Sequence, residues 1–69
     1  MENKIQVLRK AKNISQKELA EMCNVSRQTI NAIENNKYDP TLKLAFRIAH
    51  VLNLNVDQVF FVSEEKDNE

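Results

Sequence analysis

The chain contains no glycine, and only one cysteine and one proline among its 69 residues. Without glycine there is no glycine-rich loop to cradle a phosphate, which excludes nucleotide chemistry of that kind. Cys23 stands alone, so an internal disulfide is impossible, and a reducing cytoplasm is the expected setting. An excess of either charge is missing too: ten basic residues meet ten acidic ones. That balance weighs at first against nucleic acid, whose partners are usually basic. No apolar run approaches the ~18 residues of a membrane helix, and the N-terminus has no secretory apolar segment. His50 has no second His or Cys at ligand spacing, and no nucleophile sits beside a base. Neither metal, cofactor, small-molecule ligand nor catalysis is therefore expected.

What is present is unevenly distributed. Lys4, Arg9, Lys10 and Lys12 face only Glu2 in the first twelve residues, whereas from Ile48 onward Lys66 stands against Asp57, Glu64, Glu65, Asp67 and Glu69. Such a dipolar chain can still orient itself toward phosphates, with modest and salt-sensitive non-specific binding. A domain of this size buries only about 60% of its unfolded surface. Its core seldom contributes more than about 3–5 kcal/mol, so association with a second copy is a natural supplement.

The stretch from Ser15 to Tyr38 organises the rest. Ser15 predicts a helix over about Gln16 to Met22, reinforced by Glu18 three residues on, which completes a capping box. Ser26 predicts a second helix over about Arg27 to Asn35. At about 100° per residue, Ile30 and Ile33 share one narrow side of that second helix, while Arg27, Gln28, Asn31 and Asn35 gather opposite. Arginine can pair in a bidentate manner with guanine, and Asn or Gln with adenine, across a major groove. An ordinary amphipathic helix with a solvated polar face would give the same wheel.

These residues resemble the helix-turn-helix of phage-repressor and Cro-type regulators, the xenobiotic-response-element class. The likeness rests on Ile14-Ser15-Gln16, Glu18-Leu19-Ala20, Val25-Ser26-Arg27-Gln28-Thr29-Ile30, Ile33-Glu34-Asn35, Lys37-Tyr38 and Pro40-Thr41-Leu42, and it covers roughly Ile5 to Phe60. It implies an all-α, five-helix lambda-repressor-like domain that binds double-stranded DNA as a homodimer and regulates transcription, as a repressor on a pseudo-palindromic operator. Arg27, Gln28, Asn31 and Thr29 are the expected base contacts, Thr29 at either a base or a phosphate. Ser15, Gln16, Asn35, Lys37 and Tyr38 are expected to meet the DNA backbone, with Gln16 also bracing Gln28. Arg9, otherwise one more solvated cation, would pair with Glu34. The family has glycine at several helix ends where this chain has Asn13, Asn24, Asn36 and Asn53. Asparagine is the residue that next best tolerates the left-handed conformation.

The remaining elements follow in order. A first helix is expected over about Asn3 to Lys12, turning Ile5, Leu8 and the stem of Lys12 inward. Leu19, Ala20 and Cys23 should be buried, the last as an apolar residue rather than a reactive thiol. The helix over about Leu42 to Leu52 is apolar around most of its circumference, Leu42 and Phe46 included, which predicts a central helix covered on several sides. Val56 to Phe60 should form a short fifth helix. Phe61 and Val62 extend the apolar run beyond it and are assigned to a homodimer contact in preference to core closure. The helix-turn-helix domain then occupies residues 1–62, with an acidic, frayed tail over 63–69. The competing function is a protein-interaction module, such as an antitoxin or adaptor on the same fold.

Overall fold

The computed structural model describes residues 1–62; the tail lies outside the described residues. Five helices follow a two-residue strand: β1 Glu2–Asn3, α1 Ile5–Ala11, α2 Gln16–Cys23, α3 Arg27–Glu34, α4 Leu42–Val51, α5 Val56–Val59, then β2 Phe60–Phe61. Three starts are capped by hydroxyls. The side chains of Ser15, Ser26 and Thr41 accept from the backbone N–H of Glu18, Thr29 and Leu44. The Glu18 carboxylate accepts in return from the Ser15 N–H, completing the capping box.

Four helix ends share one device. Asn13, Asn24, Asn36 and Asn53 hold φ between 59° and 62°. After each, the next residue's N–H reaches five residues back: Ile14 to Arg9, Val25 to Ala20, Lys37 to Ala32 and Leu54 to Ala49, at 2.9–3.0 Å. This six-to-one bond satisfies a carbonyl that the helix leaves unpaired, and an apolar contact from the donor residue usually accompanies it. Ile14, Val25 and Leu54 supply that contact by packing on the core. Lys37 is the exception and is exposed. Asn24→Val should cost about 1–2 kcal/mol in urea unfolding because a β-branched residue resists the left-handed region, while Asn24→Gly should change little. Equal stability of the two variants would contradict this account of the turn.

The core joins Ile5, Leu19, Ala20, Cys23, Ile30, Ile33, Ala45, Ile48, Ala49, Leu52, Val59 and Phe60. Ala20, 2% exposed, lets α2 and α3 approach closely. Arg47 on α4 donates to the Cys23 carbonyl at 3.2 Å, placing a cation at the C-terminal end of α2, where the helix dipole favours it. Burial pushes the Cys23 thiol above its ordinary pKa, against the smaller opposing effect of the Arg47 charge. Its thiolate, the reactive form, is therefore suppressed.

Three expectations change. Asn3 lies in β1 rather than α1, pairing antiparallel with Phe60 while Glu2 pairs with Phe61. Its Oδ1 accepts from Ile5 N–H at 3.1 Å, and its Nδ2 donates to the Ile33 carbonyl at 2.8 Å. One side chain thus starts α1 and ties it to the end of α3. Lys12 follows α1 and is exposed, so its stem is not part of the interior. On α4, Leu42 and Phe46 are 70% and 57% exposed. One turn apart, they share a side that no other described element covers, because α4 turns Ala45, Ile48 and Ala49 to the core. No described helix is long and apolar enough to cross a membrane.

Candidate nucleic-acid interface

The outer side of α3 is open. Ile30 and Ile33 are buried, so the helix can present only its other side, and there Arg27, Gln28 and Asn31 are exposed. With Gln16 they line a shallow depression of about 360 Å³. Thr29 is half-buried, and its Oγ1 lies 2.9 Å from the Ser26 Oγ, which ties it to the cap at the start of the helix. Asn35, just past the helix, donates from Nδ2 to the Asn31 carbonyl at 2.9 Å and to Asn31 Oδ1 at 3.3 Å. That contact leaves the Asn31 amide nitrogen free to donate outward.

Around this side stand the expected backbone contacts. Ser15 and Gln16 open α2, the former exposed with its hydroxyl engaged on Glu18 N–H. Lys37 and Tyr38 are exposed in the loop after α3. The exposed Lys37 occupies the position that its three counterparts fill with an apolar residue against the core. Packing does not ask for a cation there. An exposed ion pair, Met1 amino group to Asp39 at 3.3 Å, spans from the chain start to the same loop; such pairs contribute little.

Behind α3 lies an ion pair. Arg9 Nε and Nη2 donate to the two oxygens of Glu34 at 2.7 and 3.2 Å, while Nη1 donates to the Ile14 carbonyl at 3.1 Å. The side chains of Arg9 and Glu34 are only 8% and 3% exposed. The hydrogen bond to Glu34 chiefly, and the carboxylate's charge as well, hold the Arg9 pKa above its ordinary value, with burial opposing them. Arg9 therefore stays charged throughout the working pH range, and its guanidinium offsets the Glu34 carboxylate at the end of α3. Gln16 Nε2 donates to Glu34 Oε1 at 2.9 Å, and Gln16 Oε1 accepts from Arg27 Nε at 3.4 Å. Gln16 thus braces Arg27, the first residue of α3, and not Gln28. Gln28 lines the same depression, but the hydrogen bonds of the Gln16 amide go to Glu34 and Arg27.

The strand pairing and side-chain bonds of Asn3 leave no trace in the sequence, since a two-residue strand is too short to show alternation. Phe61, 39% exposed, lies in β2 with the Lys4 ammonium 5.8 Å from its ring centre. Val62, 58% exposed, follows it. Both line an apolar cleft of about 390 Å³ together with Met1, Leu42 and Val56, away from Arg27 and Gln28.

Two short helices held by a left-handed Asn24 turn, with an exposed donor-and-acceptor side on the second, define a helix-turn-helix domain. The helix-turn-helix family model HTH_3 matches residues 5–59, and the chain belongs to that family. It is 44% identical over 66 residues to an uncharacterized HTH-type transcriptional regulator of Methanocaldococcus jannaschii, covering 96% of this chain and 100% of the relative. The N-terminal DNA-binding domain of SinR from Bacillus subtilis has a TM-score of 0.75 at 28% identity, covering 87% of this chain and 88% of that one. SinR, a master regulator for biofilm formation, solved in complex with DNA, has a TM-score of 0.71 at 31% identity, covering 77% and 86%.

Proposed function

We propose that the protein is a sequence-specific, DNA-binding transcriptional repressor that occupies a pseudo-palindromic operator as a homodimer inside the cell. The observation that carries this reading is the uncovered side of α3. Arg27, Gln28 and Asn31 are exposed together there, and the chain's own apolar packing lies on the opposite side of the helix. In the major groove these residues would reach base edges, with Thr29 at the rim. Ser15, Gln16, Asn35, Lys37 and Tyr38 would meet phosphates and fix the register. The regulator relatives and the SinR–DNA complex favour this reading over a protein-interaction module.

Two copies related by a two-fold axis would set their recognition helices about 34 Å apart, one turn of DNA. Phe61 and Val62 are the proposed dimer contact, supported by their exposure beside the apolar cleft. Phe61→Asp should shift the sedimenting species from dimer to monomer at micromolar concentration. An unchanged mass would remove this surface from the proposal. Selection from a random duplex pool tests the function itself. The expected product is an inverted repeat with half-sites about 10–10.5 base pairs apart, centre to centre. A pool that never enriches would refute sequence-specific binding.

A further inference from the structure

We infer that Glu34 is a positioning residue for base recognition: through Gln16 it orients the Arg27 guanidinium and commits the base pair facing Arg27 to guanine. The inference rests on the reading of Arg27 as a base contact and adds a residue that itself touches no DNA.

The Glu34 carboxylate accepts at both oxygens, from Arg9 and Gln16, whereas the Gln16 amide has one donor end and one acceptor end. Only one orientation of that amide suits the carboxylate: NH2 inward to Glu34 Oε1 at 2.9 Å, carbonyl outward. Arg27 is donor-only, so the outward carbonyl is the end it can use, and Nε lies 3.4 Å from Gln16 Oε1. The opposite orientation would set oxygen against carboxylate and NH2 against guanidinium, two like-polarity contacts at once. The direction of the chain is therefore fixed at its buried end, where Glu34 is 3% exposed and itself held by both Arg9 donors.

This arrangement has a consequence for specificity. With Nε turned toward Gln16, Arg27 keeps its two terminal nitrogens for the groove. Two parallel donors match the O6 and N7 acceptors of guanine, and no other base edge in the major groove offers two acceptors side by side. A guanidinium free to rotate could instead place Nε or a single terminal nitrogen on a phosphate, losing discrimination while keeping affinity. Gln16 and Glu34 oppose that alternative.

Gln16→Met removes both bonds while keeping length and helix propensity. On duplexes carrying each of the four base pairs at the position facing Arg27, it should lower the preference for guanine by about five- to tenfold, part of the full worth of a bidentate pair. Thermal stability should stay near wild type. In an Arg27→Ala background the same change should leave base preference unaltered. Glu34→Gln, assayed where circular dichroism confirms that it is folded, should reproduce the loss. In the free protein, the Arg27 Nε–H should exchange with water faster in Gln16→Met than in wild type. Unchanged guanine preference in Gln16→Met, or equal Nε–H exchange in both proteins, overturns the inference while leaving the regulator reading intact. If Arg27→Ala itself relaxes preference at no position, the base-contact reading of Arg27 falls and takes the inference with it.

Discussion

Glu34→Ala is expected to leave the domain largely unfolded at 37 °C. The substitution strands the Arg9 guanidinium, 8% exposed, with only the Ile14 carbonyl as a partner. Removing one member of a buried ion pair typically costs about 3–5 kcal/mol. A core of this size supplies about the same amount in total, so this single change approaches the whole stability of the monomer. Gln16 loses its anchor at the same time. The attribution can be separated from mere loss of packing by replacing both partners: Arg9→Met with Glu34→Leu should recover most of the stability, because no charge is then left buried. Urea unfolding followed by circular dichroism checks both variants. A Glu34→Ala protein as stable as wild type would show that the pair does not tie α1 to α3.

Arg27→Ala is expected to weaken binding to the selected operator by about 1–3 kcal/mol per half-site, roughly 5- to 150-fold, with little change on random duplex. The asymmetry matters more than the size. A base contact contributes only where its base is present, whereas a phosphate contact contributes everywhere. Lys37→Ala should show the opposite pattern, with similar losses on both DNAs and a shallower dependence of affinity on salt. Fluorescence anisotropy at two salt concentrations measures all of these. Equal losses on operator and random DNA for Arg27→Ala would place that side chain on the phosphate backbone.

Much of this molecule was legible in its sequence. Ser15 with Glu18, and Ser26, marked the starts of α2 and α3 because capping is local chemistry between residues three apart. The four asparagines marked turns through the resemblance, because they stand where the family has glycine and positive φ leaves few other residue types to choose from. Ile30 and Ile33 identified the inward side of α3, which left Arg27, Gln28 and Asn31 to face outward. The partner of Arg9, by contrast, came from family resemblance alone; a contact across 25 residues leaves no periodic trace. β1 stayed hidden, since Asn3 reads equally well as the first turn of a helix.

The exposure of Leu42 and Phe46 failed differently. An apolar arc states what a helix could bury, and whether another element arrives to cover it depends on tertiary packing. The contact of Gln16 with Arg27 is not legible in the sequence for a related reason. Which residue of α3 meets the start of α2 depends on the angle between two helices, and the Asn24 turn and Ala20 set that angle only in three dimensions.

The central claim is that the outward side of α3 lies against base pairs. Backbone amide chemical shifts followed by NMR during titration with the selected duplex test it most directly. The account predicts the largest changes at Ser15, Gln16, Arg27–Asn31, Lys37 and Tyr38, with Leu42, Phe46 and His50 nearly still. Shifts concentrated on α4 and β2, with α3 unmoved, would contradict it.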